Sequence, residues 1–208
     1  MQDMYLQEEI QEKGIVEDIE ESRITDNIYL WKGDITTLKI DAIVNAANSQ
    51  GLGCFIPCHK CIDNSIHSYS GVQLRLECYE KMKEIKQLET GEVFITKGYN
   101  LPAKYIIHTV GPIIYEEVTD KQREELRNCY IHSLQLAKEN NIKEIAFPCI
   151  STGEFRFPKE EACQIAIKAV KEYLAKNENC FEKIVFNVFT EEDYNIYLQE
   201  MEHGTKCI

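Results

Sequence analysis

The sequence predicts an α/β fold: a largely parallel sheet with helices on both faces. Two observations predict it. Short apolar runs rich in Val, Ile and Phe alternate with longer stretches whose apolar residues recur every three or four positions. Those stretches are long enough to serve as crossover connections, which parallel strands require. At 208 residues and 44% hydrophobic content the chain can bury a substantial core. One principal domain is expected over residues 26–208, preceded by a short acidic helical appendage over 1–25.

The elements follow in order. Residues 1–25 are rich in Glu and Asp, with Met4, Leu6, Ile10, Ile15 and Ile19 spaced as in one or two amphipathic helices broken at Gly14. The runs "NIYLWKGDI", "IDAIVNAAN", "GEVFITKGY", "YIIHTVGPI", "EIAFPCI" and "KIVFNVF" read as buried strands. Residues 63–85, 120–141 and 158–177 read as helices, each with apolar positions three and four apart. Pro158 and the acids after it mark a helix start, since proline fits the first turn and carboxylates favour the positive end of the dipole. Sheets of this kind hold ligands outside the carboxyl ends of their strands. Three loops there are unusual: residues 45–64, "GPI" at 111–113 and "ISTGEFRFP" at 150–158.

A formal charge of −12 argues against a surface that tracks nucleic-acid phosphates. No apolar run is long enough to span a bilayer, and the acidic N-terminus has neither the basic nor the apolar segment of a secretion signal. A cytosolic, membrane-free protein is expected. Nine cysteines in such a chain suggest reduced thiols or metal ligation rather than disulfides. Cys78, Cys129, Cys149, Cys163 and Cys180 lie in apolar or helical patterns and are expected to pack as small hydrophobes. Cys207, in the tail, is uninformative.

"GLGCFIPCHKCIDNSIH", residues 51–67, is different, placing Cys54, Cys58, His59 and Cys61 within eight positions. Thiolates and an imidazole in one loop suit zinc. Cys58 and His59 are neighbours whose side chains diverge, which leaves Cys54, Cys61 and one of that pair as ligands, with a fourth position open. If all four bind, the site is closed and braces the loop. Asn45 and Asn48 at a strand end can bond sugar hydroxyls or form turns. Asp34 can accept from an amino group of a ligand base or cap a helix. In "ISTGEFRFP", Gly153 is expected to adopt positive φ and let backbone amides face an anion, although an ordinary turn has the same composition. Phe155, Phe157 and Phe189 can stack on a ring or fill the core. His108 is expected inside the sheet with its ring nitrogens satisfied. His67 is expected to make a structural hydrogen bond to Asp63, one helical turn away.

"GDIT", "DAIVNAAN", "ITKGYNLPAKYIIHTVGPI" and "ISTGEFRFP", in this order and spacing, resemble macrodomains, the modules that bind ADP-ribose. The resemblance covers about residues 28–200 and implies a three-layer αβα fold with a mixed, largely parallel sheet. Where most members carry a glycine run before a "VDGCIH"-like segment, "GCFIPCHKCIDNSIH" is similar to the zinc-dependent branch of bacteria and some fungi. That likeness implies Cys54, His59 and Cys61 as zinc ligands, with Cys58 at a variable position. It also implies Asp34 and the Ile35 amide at adenine, with Phe189 beside that base. Asn45 and Asn48 would line the distal ribose, where Asp63 and Asn48 would serve the chemistry. Ser151, Thr152, Gly153, Glu154 and Phe155 would hold the diphosphate and cover that ribose. "EFRF" departs from the commoner "VYGY", with Arg156 in place of a glycine.

The branch removes ADP-ribose from modified proteins, and its bacterial members are often encoded beside a class M sirtuin and a lipoylated glycine-cleavage H-like carrier. The resemblance therefore implies a zinc-dependent hydrolase acting on mono-ADP-ribosylated protein, esters of Asp or Glu first among them. The alternative is a reader that binds ADP-ribose without turnover and uses zinc only to fix the loop.

Overall fold

The computed structural model describes residues 2–203. Cys207 and the rest of 204–208 lie outside the described residues. The chain runs α1 (Gln2–Lys13), β1 (Ile28–Lys32), β2 (Ala42–Ala46), α2 (Ile62–Ser70), α3 (Val72–Ile85), β3 (Val93–Lys97), β4 (Tyr105–Thr109), α4 (Asp120–Glu139), β5 (Glu144–Phe147), α5 (Lys159–Lys176), β6 (Lys183–Val188) and α6 (Glu191–His203). Short 3-10 turns occupy Glu20–Ser22 and Ile35–Thr37.

Six strands form one sheet in the order β1-β6-β5-β2-β4-β3. All neighbours pair parallel except β3 with β4. Only residues 98–104 separate that last pair, too few for a crossover, so the chain turns back on itself. Side chains alternate across the sheet with period two. Ile28, Leu30, Ala42, Val44, Ile107, Ile145, Phe147, Ile184 and Phe186 face a core shared with α4, α5 and α6. Tyr29, Ile43, Ile106, Ala146 and Val185 face a second core completed by α2, α3 and the 3-10 turn after β1. The sheet is thus the middle of three layers, as expected. Asn45 and His108 are register partners in β2 and β4, on the α2–α3 side.

One expectation changes. Residues 63–85 do not form one helix: Gly71, at φ +93, ends α2 and starts α3, a conformation that costs a side-chain-bearing residue more than glycine. Residues 191–203 form a helix that the sequence pattern did not predict. The N-terminal segment lies against the body, with Leu6 and Ile10 buried and Gln2 Oε1 accepting the Val72 amide that opens α3 (3.2 Å). Gly14 ends α1 at φ +86, where the sequence placed the break.

Candidate functional site

The carboxyl ends of β1, β2, β5 and β6 and the loops that follow them carry the predicted residues. At the β1 end, Asp34 caps the 3-10 turn: its Oδ1 accepts the Thr36 amide (2.9 Å) and hydroxyl (2.6 Å). Its Oδ2 accepts from Lys13 Nζ at 2.7 Å. Burial opposes ionisation of Asp34, yet the bonds from Lys13 and Thr36 outweigh it and hold its pKa below the usual carboxylate value. Ile35 buries its side chain and heads the 3-10 turn, where the first amides have no intrahelical acceptor. Phe189 follows β6, the strand beside β1, and is 74% exposed, so it is a surface ring rather than core. Asn187 ties these two ends together by donating to Gly33 O at 2.9 Å.

At the β2 end, Asn45 is fully buried and its Nδ2 donates to Asp63 Oδ1 at 2.8 Å. The same Nδ2 faces His108 Nδ1 at 3.1 Å, and His108 Nε2 meets Thr96 Oγ1 at 2.9 Å. The His108 ring is therefore satisfied as expected, and it stacks on Phe94 with centroids 4.5 Å apart. Asn48 donates to the other oxygen of Asp63 at 3.2 Å and accepts the Gln50 amide (3.0 Å), forming a turn as well. Asp63, in the first turn of α2, thus receives one amide on each oxygen. Burial raises its pKa, against the lowering effect of Asn45 and the charge of Arg75. Asn45 Oδ1 has no hydrogen-bond partner among the described residues.

Cys54, His59 and Cys61 come together, half-buried, with their ligand atoms all within 4.8 Å of one another. Cys54 Sγ is 3.5 Å from His59 Nδ1. A thiolate and an imidazole on one tetrahedral zinc stand about 3.6 Å apart, given the usual bond lengths, so this edge fits the ion. The other ring nitrogen, Nε2, faces Glu154 Oε1 at 3.6 Å, beyond hydrogen-bond range. Cys61 is the N-cap of α2, its sulfur accepting the Asn64 amide at 3.4 Å. Burial, opposed by that amide and reinforced by Cys54, pushes its thiol up to about 11; a cation would reverse this. Cys58 is exposed, at φ +57, and stands outside the cluster.

The loop 151–157 approaches the cluster through Glu154. Phe155 O accepts the Ile114 amide (2.8 Å), which ties the loop to the one after β4. Between them lies a pocket of about 250 Å³ lined by Ile113, Ile114, Tyr115, Glu154, Phe155 and Arg156. Thr152 turns its hydroxyl onto Cys149 O (3.1 Å). The expectation of positive φ at Gly153 fails: the left-handed positions are Ser151 (φ +66) and Arg156 (φ +60). A Cβ at Gly153 would meet nothing within 4 Å. Close approach is instead required at Gly111, where a Cβ would stand 2.0 Å from Ser151 Oγ. Phe157 is core, 1% exposed, whereas Phe155 is half-buried at the loop's edge.

His67 also departs from expectation. Its Nε2 is 3.6 Å from Asp63 Oδ1, outside hydrogen-bond range, and neither ring nitrogen has a partner among the described residues. Burial, helped by the charge of Arg75, lowers its pKa to about 3, so it is neutral and forms no ion pair. Sequence reasoning missed Arg75, which donates to Leu52 O (2.7 Å) and Cys54 O (3.1 Å) and stacks on Phe55, bracing the cysteine loop from α3. It also missed Lys13. No local motif marks either residue, because each acts on a segment about 20 residues away.

Fold and site define an α/β module with a loop-built cleft at the carboxyl edge of a largely parallel sheet. A model of the Macro domain family matches residues 44–166. The chain belongs to that family. It is 52% identical over 202 residues to a protein of Treponema medium named "Protein-ADP-ribose hydrolase", covering 95% of this chain and 77% of that one. It is 53% identical over 174 residues to a protein of the same name from Staphylococcus aureus strain MSSA476, covering 83% of this chain and 65% of the relative. Among solved structures it resembles an Oceanobacillus iheyensis macrodomain with ADP, at TM-score 0.79 and 38% identity, covering 89% of this chain and 96% of the other. Among the described residues, no helix is long and apolar enough to cross a membrane.

Proposed function

We propose that the chain is a hydrolase that releases ADP-ribose from mono-ADP-ribosylated proteins, with esters of Asp and Glu as its substrates and zinc as its metal. Relatives at about half identity carry the name of that activity. The observation that carries the reading to this chain is the arrangement of Asn45, Asn48 and Asp63 beside the Cys54, His59 and Cys61 cluster. A binding module needs donors and acceptors for a sugar; it does not need a buried carboxylate oriented by an amide on each oxygen beside a cluster of metal-ligand type.

On this reading the nucleotide lies along the carboxyl edge of the sheet. The adenine amino group meets Asp34, with the Ile35 amide and the Phe189 ring completing the base subsite. Amides of Ser151 to Phe155 and the loop at Gly111 hold the diphosphate. The distal ribose sits at Asn45, whose Oδ1 accepts a hydroxyl. Asn48 and Asn45 orient Asp63, and Asp63 takes a proton from the ribose hydroxyl or the attacking water. Water adds and one bond breaks, giving free ADP-ribose and the free side-chain carboxylic acid. Zinc on Cys54, His59 and Cys61, when bound, supplies Lewis-acid polarisation of an oxygen at the ribose.

The test uses an aspartate- or glutamate-ADP-ribosylated protein; a lipoylated glycine-cleavage H-like carrier modified by a class M sirtuin is the first to assay. Release by the zinc-loaded protein, lost on chelation and in Cys61→Ala, supports the reading. Release that survives both treatments removes zinc from it, and ADP-ribose binding without any release makes the protein a reader. Reaction in ¹⁸O-water identifies the bond broken: label on the ribose marks attack at the anomeric carbon, and label on the side chain marks attack at the ester carbonyl.

A further inference from the structure

We propose that Lys13, at the end of α1, is a positioning residue that sets the base specificity of the cleft through Asp34. The inference rests on the reading of Asp34 as the acceptor of the adenine amino group. Lys13 Nζ lies 2.7 Å from Asp34 Oδ2, 3.4 Å from Thr36 Oγ1 and 3.5 Å from the centroid of the Tyr69 ring. An ammonium has three protons, and these three partners accept all of them. The lysine therefore has no proton left to offer a ring oxygen. A base at this position meets the carboxylate alone, which accepts from an amino group and repels a carbonyl.

An exposed lysine pair would fix little, because a mobile side chain gains only a weak, screened attraction. This pair differs. The Lys13 side chain is 25% exposed and Asp34 35%, so the carboxylate is clamped by the lysine while part of it remains accessible. Thr36 holds the opposite oxygen through two bonds, so the carboxylate has one orientation. The helix that carries Lys13 is itself anchored. Leu6 and Ile10 are buried, Gln7 donates to Asn100 Oδ1 (3.2 Å), and Asn100 donates to Asp3 (2.9 Å). Lys13 is also the single basic residue of α1, whose other charged residues are Asp3, Glu8, Glu9 and Glu12. A helix otherwise acidic thus delivers its one cation to the acid at the cleft, so the N-terminal segment is part of the base subsite.

The experiment measures affinity for ADP-ribose and for its hypoxanthine counterpart, inosine diphosphate ribose, by calorimetry on the full chain. Lys13→Met keeps the apolar stem and removes the charge. The expected result is roughly fivefold to twentyfold weaker ADP-ribose binding, with the preference for adenine over hypoxanthine shrinking in step, and partial recovery of both in Lys13→Arg. A purely structural role would lower the melting temperature and leave the ratio of the two affinities unchanged; that result overturns the proposal. Tighter ADP-ribose binding by Lys13→Met overturns it too, since Lys13 would then compete with the base. Asp34→Asn separates the two layers of the argument. If it leaves the adenine preference intact, the assignment of Asp34 fails. If it abolishes the preference while Lys13→Met does not, only the role of Lys13 fails.

Discussion

Replacing Asn45 by Ala should weaken ADP-ribose binding by about 1–3 kcal/mol, or roughly fivefold to 150-fold in Kd. The figure follows from one atom. Asn45 is fully buried, its Nδ2 is used within the protein, and its Oδ1 has no partner there. A ribose hydroxyl donating to a buried amide oxygen contributes about that much. The substitution also removes donors from Asp63 Oδ1 and His108 Nδ1, for a stability loss of about 2–4 kcal/mol if each contact contributes 1–2. A domain with the usual 5–15 kcal/mol of stability remains folded after such a loss. The assay is calorimetric titration with ADP-ribose well below the melting temperature, paired with urea unfolding to establish that the variant is native. Asn48→Ala is the comparison: Asn48 is half-buried and its 3.2 Å bond to Asp63 is replaceable by water, so its effect should be smaller. A folded Asn45→Ala protein that binds ADP-ribose within twofold of the parent would refute the reasoning.

Three further outcomes follow from other parts of the structure. Arg75→Met should destabilise the cysteine loop, because the Leu52 and Cys54 carbonyls each lose a charged donor; zinc affinity measured by chelator competition should fall, roughly tenfold or more as for other residues that support a metal site. His67 is neutral in the fold with a pKa of about 3, against 6.5 for the free side chain, so the unfolded chain binds a proton that the native protein refuses. The stability this confers is fully present above about pH 6.5 and is lost as pH falls toward 3, a change on the order of 4–5 kcal/mol; His67→Phe should flatten that limb of the urea midpoint against pH. Arg156→Gly should raise stability by about 0.5–1 kcal/mol, the left-handed cost of a non-glycine residue less the extra entropy of unfolded glycine, seen as a higher denaturant midpoint at unchanged slope.

What could be read from the sequence divides along the distance over which each signal acts. All six strands were legible because a buried strand is a local composition: "KIVFNVF" and "EIAFPCI" hold their apolar residues in one run. The cysteine cluster was legible for the same reason, since Cys54, His59 and Cys61 sit within eight positions and one loop brings them together. α6 was not, because its buried face is carried by Tyr197 and Met201 within "EEDYNIYLQEMEH", where acids and tyrosines mask the period. The single helix expected over 63–85 hid its break because one glycine is tolerated inside a helical pattern; only the φ of +93 at Gly71 makes it a terminus. Gly153 misled in the opposite sense. Glycine usually takes the left-handed turn position, but here Ser151 and Arg156 take it, so the identity of the residue did not reveal the conformation.

The remaining features depend on pairings across the fold. Asn45 and Asp63 are 18 residues apart, Lys13 and Asp34 are 21, and Asn45 meets His108 only because β2 and β4 are parallel neighbours in register. Composition at one position cannot encode such a pairing, but the sheet order can. Once β2 is placed between β5 and β4, position 45 must face α2 with position 108 beside it, and Asp63 in the first turn of α2 must fall within reach. The carboxylate is then held by two amides above a layer of neutral imidazoles, His67 and His108, neither of which supplies a charge. The charge that acts on Asp63 within the described residues is that of Arg75, which opposes the effect of burial together with the bond from Asn45. Zinc on the Cys54, His59 and Cys61 cluster would favour the Asp63 carboxylate, opposing the upward shift that burial imposes and supporting the acceptor that both asparagines are aimed at.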